Sequence, residues 1–177
     1  MRILIIGDIF GRPGRRTVSN LMPKIKKEIS PDFVIANGEN VAGGLGVTVK
    51  TFEKLLSYGI DCITTGTHIW DEDEIYPFLR NFPDRLLRPA NYTHVPGKGY
   101  SIFPNGVAVI NLLGRLFIPH PLVKCPFETV TKLLKIIKPK AKIIIVDFHA
   151  ESAMEKKAMG FFLDGKVSAV VGTHTHV

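Results

Sequence analysis

Arg2-Ile3-Leu4-Ile5-Ile6-Gly7-Asp8 decides the fold. Four consecutive apolar residues are too few for a buried helix and suit a strand covered on both faces; the run then breaks on a glycine and a carboxylate. From Gly14 to Ile29 the period changes. Val18, Leu21, Met22, Ile25 and Ile29 recur at spacings of three and four, which predicts a helix carrying them on one buried face. Ser30-Pro31 ends it, because the residue before proline is pushed out of the helical region.

The alternation repeats. Phe33 to Asn37 reads as strand, Thr48 to Tyr58 as helix, Asp61 to Thr65 as strand and Asp71 to Phe82 as helix, the βαβα pattern of a parallel sheet covered by helices. Thr48 can cap the second helix and Gly59 can take the left-handed conformation past its end, with Phe52, Leu55 and Leu56 facing inward. Asp71, Glu72, Asp73 and Glu74 suit the positive end of the third helix, which stops before Pro83. Gly99 to Phe103 and Val107 to Leu112 flank Pro104-Asn105-Gly106, a hairpin signal that makes the sheet mixed. A proline-rich connector from Gly114 to Pro126 follows. Then come a helix over Phe127 to Ile137, a buried strand over Lys142 to Asp147, a helix over Glu151 to Phe162 and a strand over Val167 to Val171. No internal repeat or low-complexity stretch interrupts the pattern.

At 177 residues, 45% hydrophobic and 22% charged, the chain is long enough for a real core and reads as one α/β domain. No apolar run approaches the ~20 residues of a membrane span, and Gly7-Asp8 breaks the first run too early for a signal peptide. A cytoplasmic location is expected. Cys62 and Cys125 lack CxxC spacing and read as free thiols. The net charge of +7 suits an anionic substrate or RNA, but the densest basic cluster, Lys132, Lys135, Lys138, Lys140 and Lys142, reads as a solvated face.

Chemistry concentrates where strands give out. A parallel sheet gathers the carboxyl ends of its strands along one edge, so distant residues can converge there. Asp8 follows the first strand and can hold a cation or cap a turn. Glu39 and Asn40 follow the second, and a carboxylate with two oxygens can bridge two metal ions. His68 follows the third beside Thr67 and before Trp70-Asp71, where it can bind metal, protonate a leaving group or pack against the indole. His149 follows a buried strand, with Asp147 or Glu151 available to orient it. The chain closes on Gly172-Thr173-His174-Thr175-His176, two imidazoles separated by one residue. His94 and His120 lie among prolines and read as structural or surface residues. Gly11-Arg12-Pro13-Gly14 is neither a P-loop nor GxGxxG, and no Ser or Cys stands beside a His as a nucleophile. Activated water is the better nucleophile.

The order Gly-Asp, Gly-Glu-Asn, Gly-x-His, Phe-His-Ala-Glu and Gly-Thr-His-Thr-His resembles the calcineurin-like metallophosphoesterases, and closely their bacterial YmdB-like branch. The likeness also takes in Arg88-Pro-Ala-Asn91, Pro96-Gly-Lys-Gly99 and Val109-Ile-Asn-Leu112. It implies a four-layer α/β/β/α metallophosphoesterase sandwich with mixed sheets. It also implies hydrolysis of phosphodiesters, 2′,3′-cyclic nucleotides among them, by a hydroxide activated between two divalent metal ions. By that resemblance Asp8, Glu39 and His176 hold one metal; Glu39, Thr67, His149 and His174 hold the second. Glu39 bridges, Asn40 lies at the metals and positions the phosphate, and His68 is the acid at the leaving oxygen. Thr67 stands where the family carries asparagine. Fe or Mn is the expected metal, with Zn or Co compatible with the same ligands. Relatives continue past the His-x-His, so the chain is expected to lack C-terminal strands. A weakly active or non-catalytic binding protein of the same fold is the alternative reading, and a homo-oligomer through Leu116-Phe117-Ile118-Pro119 is a further expectation.

Overall fold

The computed structural model describes residues 1–81, 84–118 and 122–176. Two four-stranded sheets organise them. In the first, β1 (Ile3–Ile6), β2 (Phe33–Asn37), β3 (Cys62–Thr64) and β4 (Leu86–Leu87) lie in sequence order and are all parallel. Helix α1 (Gly11–Ile29) joins β1 to β2, and α2 (Val49–Ser57) joins β2 to β3. A 3₁₀ turn (Thr67–Trp70) and α3 (Ile75–Asn81) precede β4. In the second sheet β5 (Tyr100–Ile102) pairs antiparallel with β6 (Val107–Leu113), while β6, β7 (Ile143–His149) and β8 (Ala169–Thr173) run parallel. Helices α4 (Pro126–Ile137) and α5 (Ala153–Leu163) make its crossovers. The antiparallel pairing is therefore confined to the second sheet.

Side chains alternate across each strand, and the cores follow that period of two. Leu4, Ile6, Val34, Ala36 and Ile63 pack with residues of the first three helices, such as Val18, Met22, Phe52, Leu55 and Leu79. Ala108, Ile110, Leu112, Ile144, Val146 and Phe148 pack with Val130, Leu134, Met159 and Leu163. The opposite parity of both sheets forms one shared cluster: Ile3, Ile5, Phe33, Ile35, Cys62, Val107, Val109, Ile145 and Ala169. Continued towards the carboxyl ends of the strands, that same parity brings Asn37, Thr64, Asn111, Asp147, His149 and Thr173, all buried. The face between the sheets thus changes from apolar to polar at one end, and there the candidate site forms.

Local chemistry explains most boundaries. Thr51 N–H donates to Thr48 Oγ1 (3.2 Å) and Thr48 N–H to Thr51 Oγ1 (2.9 Å), a capping box that opens α2. Gly59 closes it at φ 90°. The hairpin turns where expected: Phe103 N–H donates to Val107 O (2.8 Å), with Gly106 at φ 83°. Ser30 does leave the helical region, but into the left-handed one (φ 47°), where its N–H still reaches Lys26 O.

Several expectations are corrected. Helix α1 begins at Gly11, three residues early, because Pro13 fits a first turn. Leu21 and Ile29 are exposed; the buried stripe is narrow, and Leu21 points about 100° away from Met22. Helix α3 begins at Ile75, leaving Asp71 to Glu74 in the turn before it. Strand β4 has too few residues to show a period. Strands β7 and β8 each extend two residues further than expected, so His149 ends a strand instead of following it. Cys62 is buried and Cys125 half-buried, and both are free thiols. Among the described residues no helix is long and apolar enough to cross a membrane. His94 is an exposed residue at φ 61° and stands in the loop before β5. His120 lies outside the described residues.

Candidate metal centre

Glu39 sits at the middle of the polar end, fully buried on the loop that follows β2. Three glycines of that loop, at positions 43, 44 and 46, have positive φ. A Cβ on Gly46 would stand 2.8 Å from His68 O, so only glycine lets the Glu39 loop close on the His68 segment. Glu39 Oε1 accepts from Thr67 Oγ1 at 2.9 Å. Its Oε2 is pressed against His149 Nε2 yet has no hydrogen bond of normal geometry. His149 Nε2 in turn lies 3.1 Å from His174 Nδ1. Donor atoms of Glu39, His149 and His174 all fall within 4.8 Å of one another. A Cβ on Gly66 would overlap Glu39 Oε2 and the His149 ring, so glycine keeps this space open.

A buried carboxylate oxygen without a hydrogen bond is costly, and a neutral His149 or His174 whose other nitrogen donates to Thr173 or Glu151 turns only a lone pair into this space. The oxygen and nitrogen donor set suits a first-row divalent cation. The residues present therefore fit a metal ion.

Neighbouring charges set the protonation of these groups. Burial alone would raise the Glu39 carboxyl, but His149, the Thr67 hydroxyl and the charge of His68 outweigh it and hold it below the ordinary carboxylate range. Burial would lower His149, but Glu39, Asp147 and Asp8 hold it up. His174 is lowered by burial and by the neighbouring His149, against the pull of Glu39, Glu151 and Asp8. The neutral imidazole favoured at His174 is the form that binds metal, and His149 can bind one only once its Nε2 proton has left. Glu151 Oε2 takes His174 Nε2 at 2.9 Å, which leaves Nδ1 to face His149.

Behind His149 lies a network anchored on Asp147. Thr173 Oγ1 donates to Asp147 Oδ1 (2.7 Å), Asn37 Nδ2 donates to Oδ2 (3.0 Å), and Thr64 Oγ1 also donates to Oδ2. Burial pushes this carboxyl up, while the three donors and His149 pull it back. A hydroxyl has one proton. With that proton on Asp147, Thr173 Oγ1 accepts from His149 Nδ1 (2.9 Å), and in the neutral ring Nε2 is left with its lone pair towards Glu39 and His174.

The other expected residues gather at the rim. Asp8 accepts the His174 N–H on both oxygens (3.2 and 3.0 Å) and lies 3.8 Å from His176 Nε2. His174 and His176 take φ of 96° and 55°, a left-handed backbone that is strained for non-glycine residues. Asn40 Nδ2 donates to Gly44 O (2.9 Å), and Asn40 Oδ1 faces His176 Nε2 at 3.3 Å. Its oxygen, rather than its amide hydrogens, is turned to the site. His68 Nδ1 pairs with Asp71 Oδ2 at 2.6 Å, and its Nε2 lies 3.9 Å from Glu39 Oε1.

All seven expected ligands and His68 therefore stand at one end of the two sheets. The set around Glu39, Thr67, His149 and His174 is the tighter; Asp8 and His176 stand beside it. Of the two residues expected to orient His149, Asp147 does so through Thr173, whereas Glu151 orients His174. Asn37, Thr64, Thr173 and Asp71 escaped the sequence reading. For Asn37, Thr64 and Thr173 the available signal was a polar residue ending an otherwise apolar strand on the shared face; Asp71, after the 3₁₀ turn, carried no such signal.

Residues 4–177 match the family described as YmdB-like protein. The 2′,3′-cyclic-nucleotide 2′-phosphodiesterase of Bacillus subtilis (strain 168) is 48% identical over 181 residues, covering 100% of this chain and 67% of that protein. A hypothetical protein from Thermus thermophilus has a crystal structure that matches with a TM-score of 0.91 at 39% identity, covering 100% of this chain and 69% of that one. A novel phosphatase from Mycoplasma pneumoniae matches with a TM-score of 0.91 at 34% identity, covering 99% and 64%. The chain thus spans about two thirds of the length of these relatives.

Proposed function

The chain belongs to the YmdB-like protein family, and from that premise we propose that it is a metal-dependent phosphodiesterase acting on 2′,3′-cyclic nucleotides. The observation that carries this reading is Glu39, a fully buried carboxylate with one oxygen free of hydrogen bonds, facing the imidazoles of His149 and His174. The name of the Bacillus subtilis relative supports the substrate class.

In this reading Glu39, Thr67, His149 and His174 hold one divalent ion and Asp8, Glu39 and His176 a second, with Asn40 Oδ1 beside His176. Mn²⁺ or Fe²⁺ suits this set, and Zn²⁺ or Co²⁺ is compatible with it. When bound, the ions acidify a water and offset the phosphate charge. The chain's own residues do the rest. Asp147 and Thr173 fix the His149 tautomer, and Glu151 fixes His174. Asp71 holds His68 Nδ1 and leaves Nε2 turned towards the Glu39 side, where it gives a proton to the departing ribose oxygen. One ring P–O bond opens, and a nucleoside monophosphate results.

The same proposal includes one domain over residues 1–177 in four layers, α/β/β/α. The three apolar clusters, one under each helical group and one shared by both sheets, support it. The test is hydrolysis of 2′,3′-cyclic AMP by metal-reconstituted protein with product identification. Formation of a single nucleoside monophosphate is expected, and loss of that product in Glu39→Gln. Hydrolysis that proceeds equally in Glu39→Gln would reject the site.

A further inference from the structure

Helix α1 starts directly behind the metal centre, and its charge runs against its dipole. The positive end of a helix favours anions, yet Arg12, Arg15 and Arg16 occupy its first two turns and no acid does. Residues 9–27 contain six cations, Arg12, Arg15, Arg16, Lys24, Lys26 and Lys27, and no Asp or Glu. Where a sequence breaks a local rule, function is the usual reason. Arg12, Arg15 and Arg16, together with Ser19, Lys54 and Tyr58, line a basin of about 290 Å³ between α1 and α2. Among the described residues, none of these four cations has a carboxylate within ion-pair distance.

The basin is tied to the metal centre. Arg15 Nη1 donates to Val41 O, two residues beyond Glu39, and Gly11 N–H donates to Asn40 O at 2.8 Å. Between basin and centre stands Phe10, 52% exposed, with its ring edge-on to His176 at 5.9 Å between centroids. From Arg12 to Arg16 the helix rises about 6 Å, a step on the scale of successive phosphates in a stretched strand. An exposed aromatic followed by a track of unpaired cations is how single-stranded nucleic acid is held, bases stacking and phosphates paired.

We propose that the basin binds backbone phosphates of an RNA strand whose 3′ end, closed as a 2′,3′-cyclic phosphate, is the substrate of the metal centre, with Phe10 as the platform for its last bases. This rests on the phosphodiesterase reading above. A cyclic mononucleotide has one phosphate, which the centre itself takes, and leaves the arginines without a role. The same cyclic ester forms at the end of an RNA strand when a ribose 2′-hydroxyl attacks the adjoining phosphate, and DNA lacks that hydroxyl. In the reaction the oxygen of water bonds to phosphorus, a ring P–O bond breaks, and the proton from water ends on the freed ribose oxygen. The strand keeps a terminal phosphate monoester, and no oxidant or reductant is needed.

The test compares a five-nucleotide RNA ending in 2′,3′-cyclic phosphate with 2′,3′-cyclic AMP, using metal-reconstituted protein. The variant is Arg12→Glu, Arg16→Glu, Lys54→Glu, which improves the charge at the start of α1. The control is Lys132→Glu, Lys135→Glu, Lys140→Glu, the same change of net charge on exposed positions elsewhere. The basin variant should raise KM for the RNA at least tenfold, leave the mononucleotide within twofold, and shrink the log–log salt slope for the RNA by about 2. The control should leave both substrates within twofold. A wild-type protein that uses the RNA no better than the mononucleotide overturns the proposal, as does a basin variant no worse than the control. Turnover of neither substrate would instead count against the phosphodiesterase reading. Fluorescence anisotropy of the labelled RNA then judges the basin separately, with binding lost in the basin variant supporting it and unchanged binding overturning it.

Discussion

Replacing Thr173 by valine keeps the volume of the side chain and removes one hydroxyl. That hydroxyl donates to Asp147 Oδ1 at 2.7 Å and accepts from His149 Nδ1 at 2.9 Å, in a fully buried setting. Asp147 keeps Asn37 and Thr64 as donors, whereas His149 Nδ1 is left with Asn37 Nδ2 at 3.4 Å, an amide nitrogen that cannot accept, and with Asp8 Oδ1 at 3.8 Å, beyond hydrogen-bond reach. A hydrogen bond to a charged group contributes about 1.5–3 kcal/mol. The metal-free protein should therefore lose about 2 kcal/mol, which for a chain of this size lowers Tm by about 4–8 °C. The larger consequence is functional: without an acceptor at Nδ1 the ring is no longer held with its Nε2 lone pair towards Glu39. Groups that orient a metal-binding histidine typically contribute about 10–100-fold in affinity. Calorimetric titration of metal-stripped protein with Mn²⁺ should show that loss in Thr173→Val and its recovery in Thr173→Ser. Affinity within twofold of wild type in Thr173→Val would refute the tautomer argument, even if Tm fell.

Three further outcomes follow from the same geometry. Gly66→Ala places a methyl against Glu39 Oε2 and the His149 ring; it should weaken Mn²⁺ binding at least tenfold and cost about 1–3 kcal/mol of stability, and unchanged binding by calorimetry would be contrary. His68→Asn should lower kcat by about 10²–10⁴-fold with metal content preserved, and kcat within threefold of wild type would remove His68 as the acid. Burial, and then the charge of Asp147, keep the proton on the Cys62 thiol far above the ordinary range. An acid whose pKa is raised stays protonated as pH climbs through the usual value, so iodoacetamide should label Cys125 but not Cys62 from pH 7 to 9, and mass spectrometry showing Cys62 alkylated in native protein would be contrary.

How much of this was legible in the sequence depends on the range of the interaction. Strands β1, β2 and β3, helix α2 and the β5–β6 hairpin follow from periodicity and from Thr48, Gly59 and Asn105-Gly106, which act within a few residues. The ends of β7 and β8 were missed because Asp147, His149 and Thr173 are polar. Apolar periodicity stops where the shared face turns hydrophilic, although the pairing continues through His149 and Thr173. The acids before α3 look like a helix start but have other partners: Asp71 holds His68, and Glu74 Oε1 accepts the Val49 N–H that opens α2. The ligand types were readable from their positions at strand ends. The orienting network was not, because Asn37 reaches Asp147 across 110 residues and only the meeting of the two sheets brings them together.

If Glu39 organises a metal centre for phosphodiester hydrolysis, turnover depends on both the ion and this carboxylate. The most direct measurement is the rate of 2′,3′-cyclic AMP hydrolysis as metal-stripped protein is titrated with Mn²⁺, for wild type and Glu39→Gln. No turnover is expected without metal, with a rise to a plateau near two ions per chain in wild type and loss of that rise in Glu39→Gln. Turnover that is independent of Mn²⁺, or equal in the two proteins, would contradict it.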